Sequence, residues 1–112
     1  MTEQRFGWIL EVDLELAPPE SGGRTGPVRS GLRPLWRPIE STEFEGLCEV
    51  EVLGAENLLP GQSGEALLKF APEVGRALTA ARIEPGRTLV LMDGPRYELG
   101  RATVRVVRSR GE

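Results

Sequence analysis

Phe6-Gly7-Trp8-Ile9-Leu10-Glu11-Val12-Asp13-Leu14-Glu15-Leu16 alternates in hydropathy: Phe6, Trp8, Leu10, Val12, Leu14 and Leu16 hold every second position, and Glu11, Asp13 and Glu15 stand between them. A pleated strand turns successive side chains to opposite faces, so this stretch predicts a strand with one apolar face and one largely acidic face. The segment that follows, Ala17 to Pro27, combines prolines, which remove donors, with glycines, which favour unusual backbone angles. It reads as a long loop with Arg24 near its tip.

Further strands follow from the same alternation. Ser30 to Ile39 is extended, with Leu32 and Trp36 apolar and Arg33 and Arg37 interleaved; Pro34 and Pro38 are expected to restrict it to an edge or a bulge. Gly46 to Leu53 places Cys48, Val50 and Val52 on one face and Glu49 and Glu51 on the other, which makes Cys48 a core residue. Leu59-Pro60-Gly61 marks a turn before a strand at Glu65 to Phe70. Thr88 to Met92 and Leu99 to Val107 read as a hairpin about Asp93-Gly94-Pro95. In Pro72 to Ile83 the residues Val74, Ala77, Leu78 and Ala81 have the spacing of a helical face, with Gly75 inside it as a weak point, so a short helix is one reading.

Length and composition bound the answer. A chain of 112 residues closes one hydrophobic core, here expected to span about residues 6 to 107 of a single domain. Fourteen glycines and nine prolines break helices too often for a helical bundle. About six short strands separated by turns suit a sandwich or a closed barrel. No apolar run approaches a membrane span, and Met1-Thr2-Glu3-Gln4-Arg5 leads into alternation rather than a signal-peptide core; a soluble, cytoplasmic protein is the expectation. Cys48 is the only cysteine and histidine is absent, so the sequence offers neither a disulfide nor a thiolate or imidazole metal site, and no cofactor is expected.

The net charge of −3 is distributed unevenly. Pro38 to Leu68 contains no basic residue but includes Glu40, Glu43, Glu45, Glu49, Glu51, Glu56 and Glu65, whereas Arg24 to Arg37 and Arg96 to Arg110 are rich in arginine. A dipolar surface follows.

Several of these pieces, in order, resemble a known family. Glu11-Val12-Asp13-Leu14, then Gly22-Gly23-Arg24, Pro27, Ser30-Gly31, Arg33-Pro34 and Arg37, are similar to the opening of the C-terminal barrel of translation elongation factor Tu. Leu59-Pro60-Gly61 resembles its Met-Pro-Gly turn; Gly94, Arg96 and Gly100 resemble its closing Gly-Gly-Arg-Thr-Val-Gly hairpin, and Gly86-Arg87 the turn before it. Thr25 stands where the family usually has histidine, Arg29 replaces an aromatic residue, and Pro72 to Ile83 is longer than the family pattern. The resemblance implies an all-β fold, a small antiparallel six-stranded Greek-key barrel. In the family that barrel packs on a GTPase domain, touches the T-stem backbone of aminoacyl-tRNA and helps to bind the exchange factor. The sequence contains no Gly-x4-Gly-Lys-Ser/Thr motif, because its one lysine, Lys69, follows Leu67-Leu68; GTP hydrolysis of that type is excluded for this chain.

The candidate contact residues are arginines. Arg24 matches the family's loop arginine, and a guanidinium there suits a backbone phosphate as well as it suits a solvated loop. Arg37 extends that track, and Arg96, Arg101 and Arg105 on the last hairpin would supply a basic face or simply a solvated one. Arg33 is expected to brace the barrel by pairing with a glutamate. Trp8 and Trp36 lie on apolar alternations and are expected in the core rather than as stacking platforms. No catalytic residue is expected: the aspartates Asp13 and Asp93 are far apart, and Cys48 has no base beside it. The leading expectation is a non-catalytic protein-binding module, a mimic of the elongation factor Tu barrel. The alternative is an RNA-binding module contacting tRNA or the ribosome, and a homodimer is a further option.

Overall fold

The computed structural model describes residues 7–21, 26–43, 45–94 and 97–109. They form nine strands: β1 (Trp8–Leu16), β2 (Val28–Arg29), β3 (Leu35–Pro38), β4 (Gly46–Leu47), β5 (Glu49–Val52), β6 (Asn57–Leu58), β7 (Ser63–Phe70), β8 (Thr88–Met92) and β9 (Glu98–Ser109). Seven make one antiparallel sheet in the order β4-β3-β8-β9-β1-β7-β5, and β2 and β6 pair separately. The sheet curls into a half-barrel around one core. The fold is all-β, with a single short helix, α1 (Gly75–Ala80), among the described residues.

Alternation in β1 works as the sequence predicts. Leu10, Val12, Leu14 and Leu16 are buried, while Asp13 and Glu15 face solvent. On either side β1 pairs with β7 and β9, so this strand is interior to the sheet. Opposite Glu11 and Val12 the register shifts by one residue, which leaves Arg105 of β9 as the extra residue of a bulge, a feature that increases local twist. The Trp36 indole is wholly buried and meets Phe70 edge to face, with ring centroids 5.3 Å apart at 85°. Edge-to-face contact is the favoured arrangement for two aromatic quadrupoles. Trp8 is half-buried against the same core.

β3 differs from its expected course. The ladder covers only Leu35–Pro38, and β3 lies between β8 and β4 rather than at an edge. The prolines bracket this short strand, so neither removes a donor from its middle. Upstream, residues 31–34 bond to the other end of the sheet: Gly31 N–H donates to the Val50 carbonyl at 2.8 Å, Val50 N–H to Leu32 at 2.8 Å, and Cys48 N–H to Pro34 at 3.0 Å. The terminal strands β4 and β5 are separated in sequence by Cys48 alone. Cys48 is therefore buried where the two ends of the sheet come together.

The stretch from Pro72 is helical, a 3-10 turn at Pro72–Val74 running into α1. Its exit is a Schellman motif: Arg82 N–H donates to Thr79 and Ile83 N–H to Leu78, at 3.0 and 3.1 Å, while Leu78 and Ile83 are both buried.

Candidate functional site

Register decides which arginines meet. Arg37 on β3 is level with Val90 on β8, and Val90 is level with Arg101 on β9. Two of the candidate arginines thus flank one valine on the outer face. Val90 is fully buried there although it does not belong to the central core, and two aliphatic arginine stems are what its row offers to cover it.

Both guanidinium groups are engaged within the chain. Arg37 Nη1 donates to the carbonyls of Pro38 and Ile39 at 3.3 Å and to that of Ser41, stitching the turn after its own strand. Arg101 Nε donates to Glu98 Oε2 at 2.9 Å. That hydrogen bond, then the Glu98 charge, holds the Arg101 guanidinium above its ordinary range.

Arg105 reaches across β1 from β9. Its Nη1 lies 3.0 Å from Glu65 Oε2 on β7 and 3.4 Å from Asp13 Oδ1 on β1. Its pKa is pushed up, chiefly by the Glu65 hydrogen bond and next by the Asp13 charge. Arg108 pairs with Glu11, and Lys69 with Glu51. On this strand face Arg105 and Arg108 stand opposite carboxylates of β1 and β7, a ladder of opposite charges. Arg24 and Arg96 lie outside the described residues. Arg33 pairs with a glutamate, its Nη2 lying 3.3 Å from Glu49 Oε1.

Another surface escaped the reading by arginines. Leu35 on β3 is directly opposite Leu47 on β4 and Met92 on β8, forming an apolar row across three strands. Leu47 is 54% exposed and Leu35 half-buried, and Ile39, four residues beyond Leu35, is 41% exposed. Strand parity carried the signal: if Cys48 points inward, its neighbour Leu47 must point out.

Among the described residues no three His, Cys, Asp or Glu side chains are grouped to hold a metal ion. Burial pushes the Cys48 thiol far above its ordinary range. No described helix is long and apolar enough to cross a membrane. No protein-family model matches the chain, and no curated protein matches it.

Proposed function

We propose that this chain is a non-catalytic module that binds a protein, built on a six-stranded Greek-key barrel of the kind found at the C-terminus of elongation factor Tu. Counting β4 and β5 as one strand through Cys48 leaves six in the large sheet, and the bonds from residues 31–34 to 48–50 support closure. As a mimic, the module would engage a partner that otherwise meets the factor's own barrel.

One observation carries the protein-binding reading. Arg37, Arg101 and Arg105 are all held by internal partners, while large apolar side chains, Leu47 foremost, face solvent. A phosphate approaching those arginines would have to compete with the carboxylates and carbonyls they already bond. An exposed apolar row requires no such exchange, and burying it is favourable in itself.

The test is affinity capture of the tagged protein from its native lysate, with and without nuclease. Retention of one protein after nuclease, without enriched RNA, is the expected result. Recovery of tRNA or rRNA that is lost in an Arg24→Ala, Arg96→Ala variant would overturn it.

A further inference from the structure

The turn joining β3 to β4 contains two exposed carboxylates, Glu43 and Glu45, that form no ion pair among the described residues. Arg37 is committed to the carbonyls of Pro38, Ile39 and Ser41. Ser41 N–H donates to Pro38 at 3.0 Å, Glu43 N–H to Ser41 Oγ at 3.1 Å, and Glu45 N–H to the Trp36 carbonyl at 2.8 Å. The described residues of the turn are therefore hydrogen-bonded to one another and to β3, which lowers the ordering cost of binding.

Glu40 pairs with Arg87. Glu43 and Glu45 are exposed, and neither carboxylate meets a cation among the described residues. Ile39, Leu35 and Leu47 belong to the same hairpin, Leu47 two residues beyond Glu45. The hairpin thus offers apolar side chains edged by two carboxylates without ion-pair partners among the described residues, against the one positive charge of Arg37.

We propose that the outer face of the β3–β4 hairpin docks a protein segment presenting apolar side chains flanked by lysine or arginine. This rests on the protein-binding reading above and names the chemistry of its partner. Charge decides the occupant. Nucleic acid would be repelled by Glu43 and Glu45. A second copy packed two-fold on the same patch would bring identical carboxylates together. A basic, apolar segment satisfies both the row and its rim.

The test uses a short amphipathic helical peptide of leucine and lysine, with a leucine–glutamate peptide as control. Binding is followed by backbone amide NMR on the full chain. The lysine peptide is expected to shift residues 35, 39, 43, 45 and 47, and Leu47→Asp to weaken it by at least about tenfold. Glu43→Gln with Glu45→Gln should weaken it about tenfold and flatten its salt dependence. All three positions are exposed, and near-ultraviolet circular dichroism of buried Trp36 checks that the variants fold.

Absence of binding, equal binding of the glutamate peptide, or undiminished binding by the variants overturns the proposal. So does a wild-type dimer in sedimentation that Leu47→Asp dissociates. Lysate capture separates the two levels: a protein still retained by Leu47→Asp removes this surface but leaves the module reading intact, whereas no protein retained by the wild type removes both.

Discussion

The indole of Trp8 stands so close over Gly75 that a β-carbon on the glycine would lie 2.4 Å from Nε1. Helix propensity alone makes Gly75→Ala favourable by up to about 1 kcal/mol. Packing reverses the sign, because the ring must move and overpacking costs about 1–3 kcal/mol. Urea denaturation should therefore show Gly75→Ala destabilised in the wild type and stabilised in a Trp8→Ala background. A loss of equal size in both backgrounds would remove the Trp8 explanation.

Arg82 is the one described non-glycine residue with positive φ, 55°, and it occupies the left-handed position of the Schellman motif. Side chains with a β-carbon are strained there, and glycine is the usual occupant. Arg82→Gly is expected to raise stability by about 1 kcal/mol, read from a higher urea midpoint at unchanged slope. An unchanged or lower midpoint would mean that the Arg82 side chain contributes more than its backbone costs.

These two sites show where local sequence stops being informative. β8 was legible to the residue, because Thr88–Met92 is apolar and Asp93-Gly94 ends it. β1 was legible because one buried face imposes period two. Gly75 looked like a weakness in a helical pattern, since the indole that requires it comes from 67 positions earlier in the chain. The course of residues 31–34 was illegible for the same kind of reason: their partners are residues 48–50, chosen by the closing geometry rather than by prolines. At the candidate site, Arg33 is expected to pair with a glutamate and meets Glu49, but no partner is foreseeable for Arg105. Its partners Asp13 and Glu65 are 92 and 40 residues away, and only the register of three strands brings them together.

Cys48 links stability to alkaline pH. Burial raises its folded-state pKa well above the unfolded value, so the native state keeps the proton when the unfolded chain, with a thiol pKa near about 8.5, begins to lose it. Its contribution is intact below that pH and declines above it, with a limiting slope of about 1.4 kcal/mol per pH unit. Denaturation between pH 7 and 10 should show stability falling with a slope that steepens toward this limit in the wild type and not in Cys48→Ala. The same thiol should resist thiol-specific reagents until the protein unfolds; rapid labelling under native conditions would show that the junction of β4 and β5 opens.

Arg87 ties the β3–β4 turn to the end of α1, pairing with Glu40 and donating to the Ala81 carbonyl at 3.0 Å. The Arg87 hydrogen bond holds the Glu40 carboxyl below its ordinary range. A lowered carboxyl pKa stabilises the fold above the unfolded value, and that stability is lost as pH falls through the folded value. Arg87→Met should weaken the protein at neutral pH and reduce its loss of stability on acidification. An acid profile parallel to the wild type would rule out the pair as a contributor.

The two glycines of the last hairpin answer different demands, and asparagine separates them. Gly94 has φ +85° with open space around it, so what matters is backbone conformation; asparagine tolerates the left-handed region, and Gly94→Asn should cost under about 1 kcal/mol. Gly100 faces β1 at close range, where a β-carbon would lie 2.4 Å from the Glu15 carbonyl oxygen and 2.9 Å from Leu16 Cα. Backbone in the central strand cannot yield as a side chain does. Gly100→Ala should then cost about 3 kcal/mol, and Gly100→Asn at least as much. Chemical denaturation of the three variants tests the contrast: a loss at position 100 no larger than that at position 94 would mean that β9 moves away from β1 readily enough to accept a side chain there.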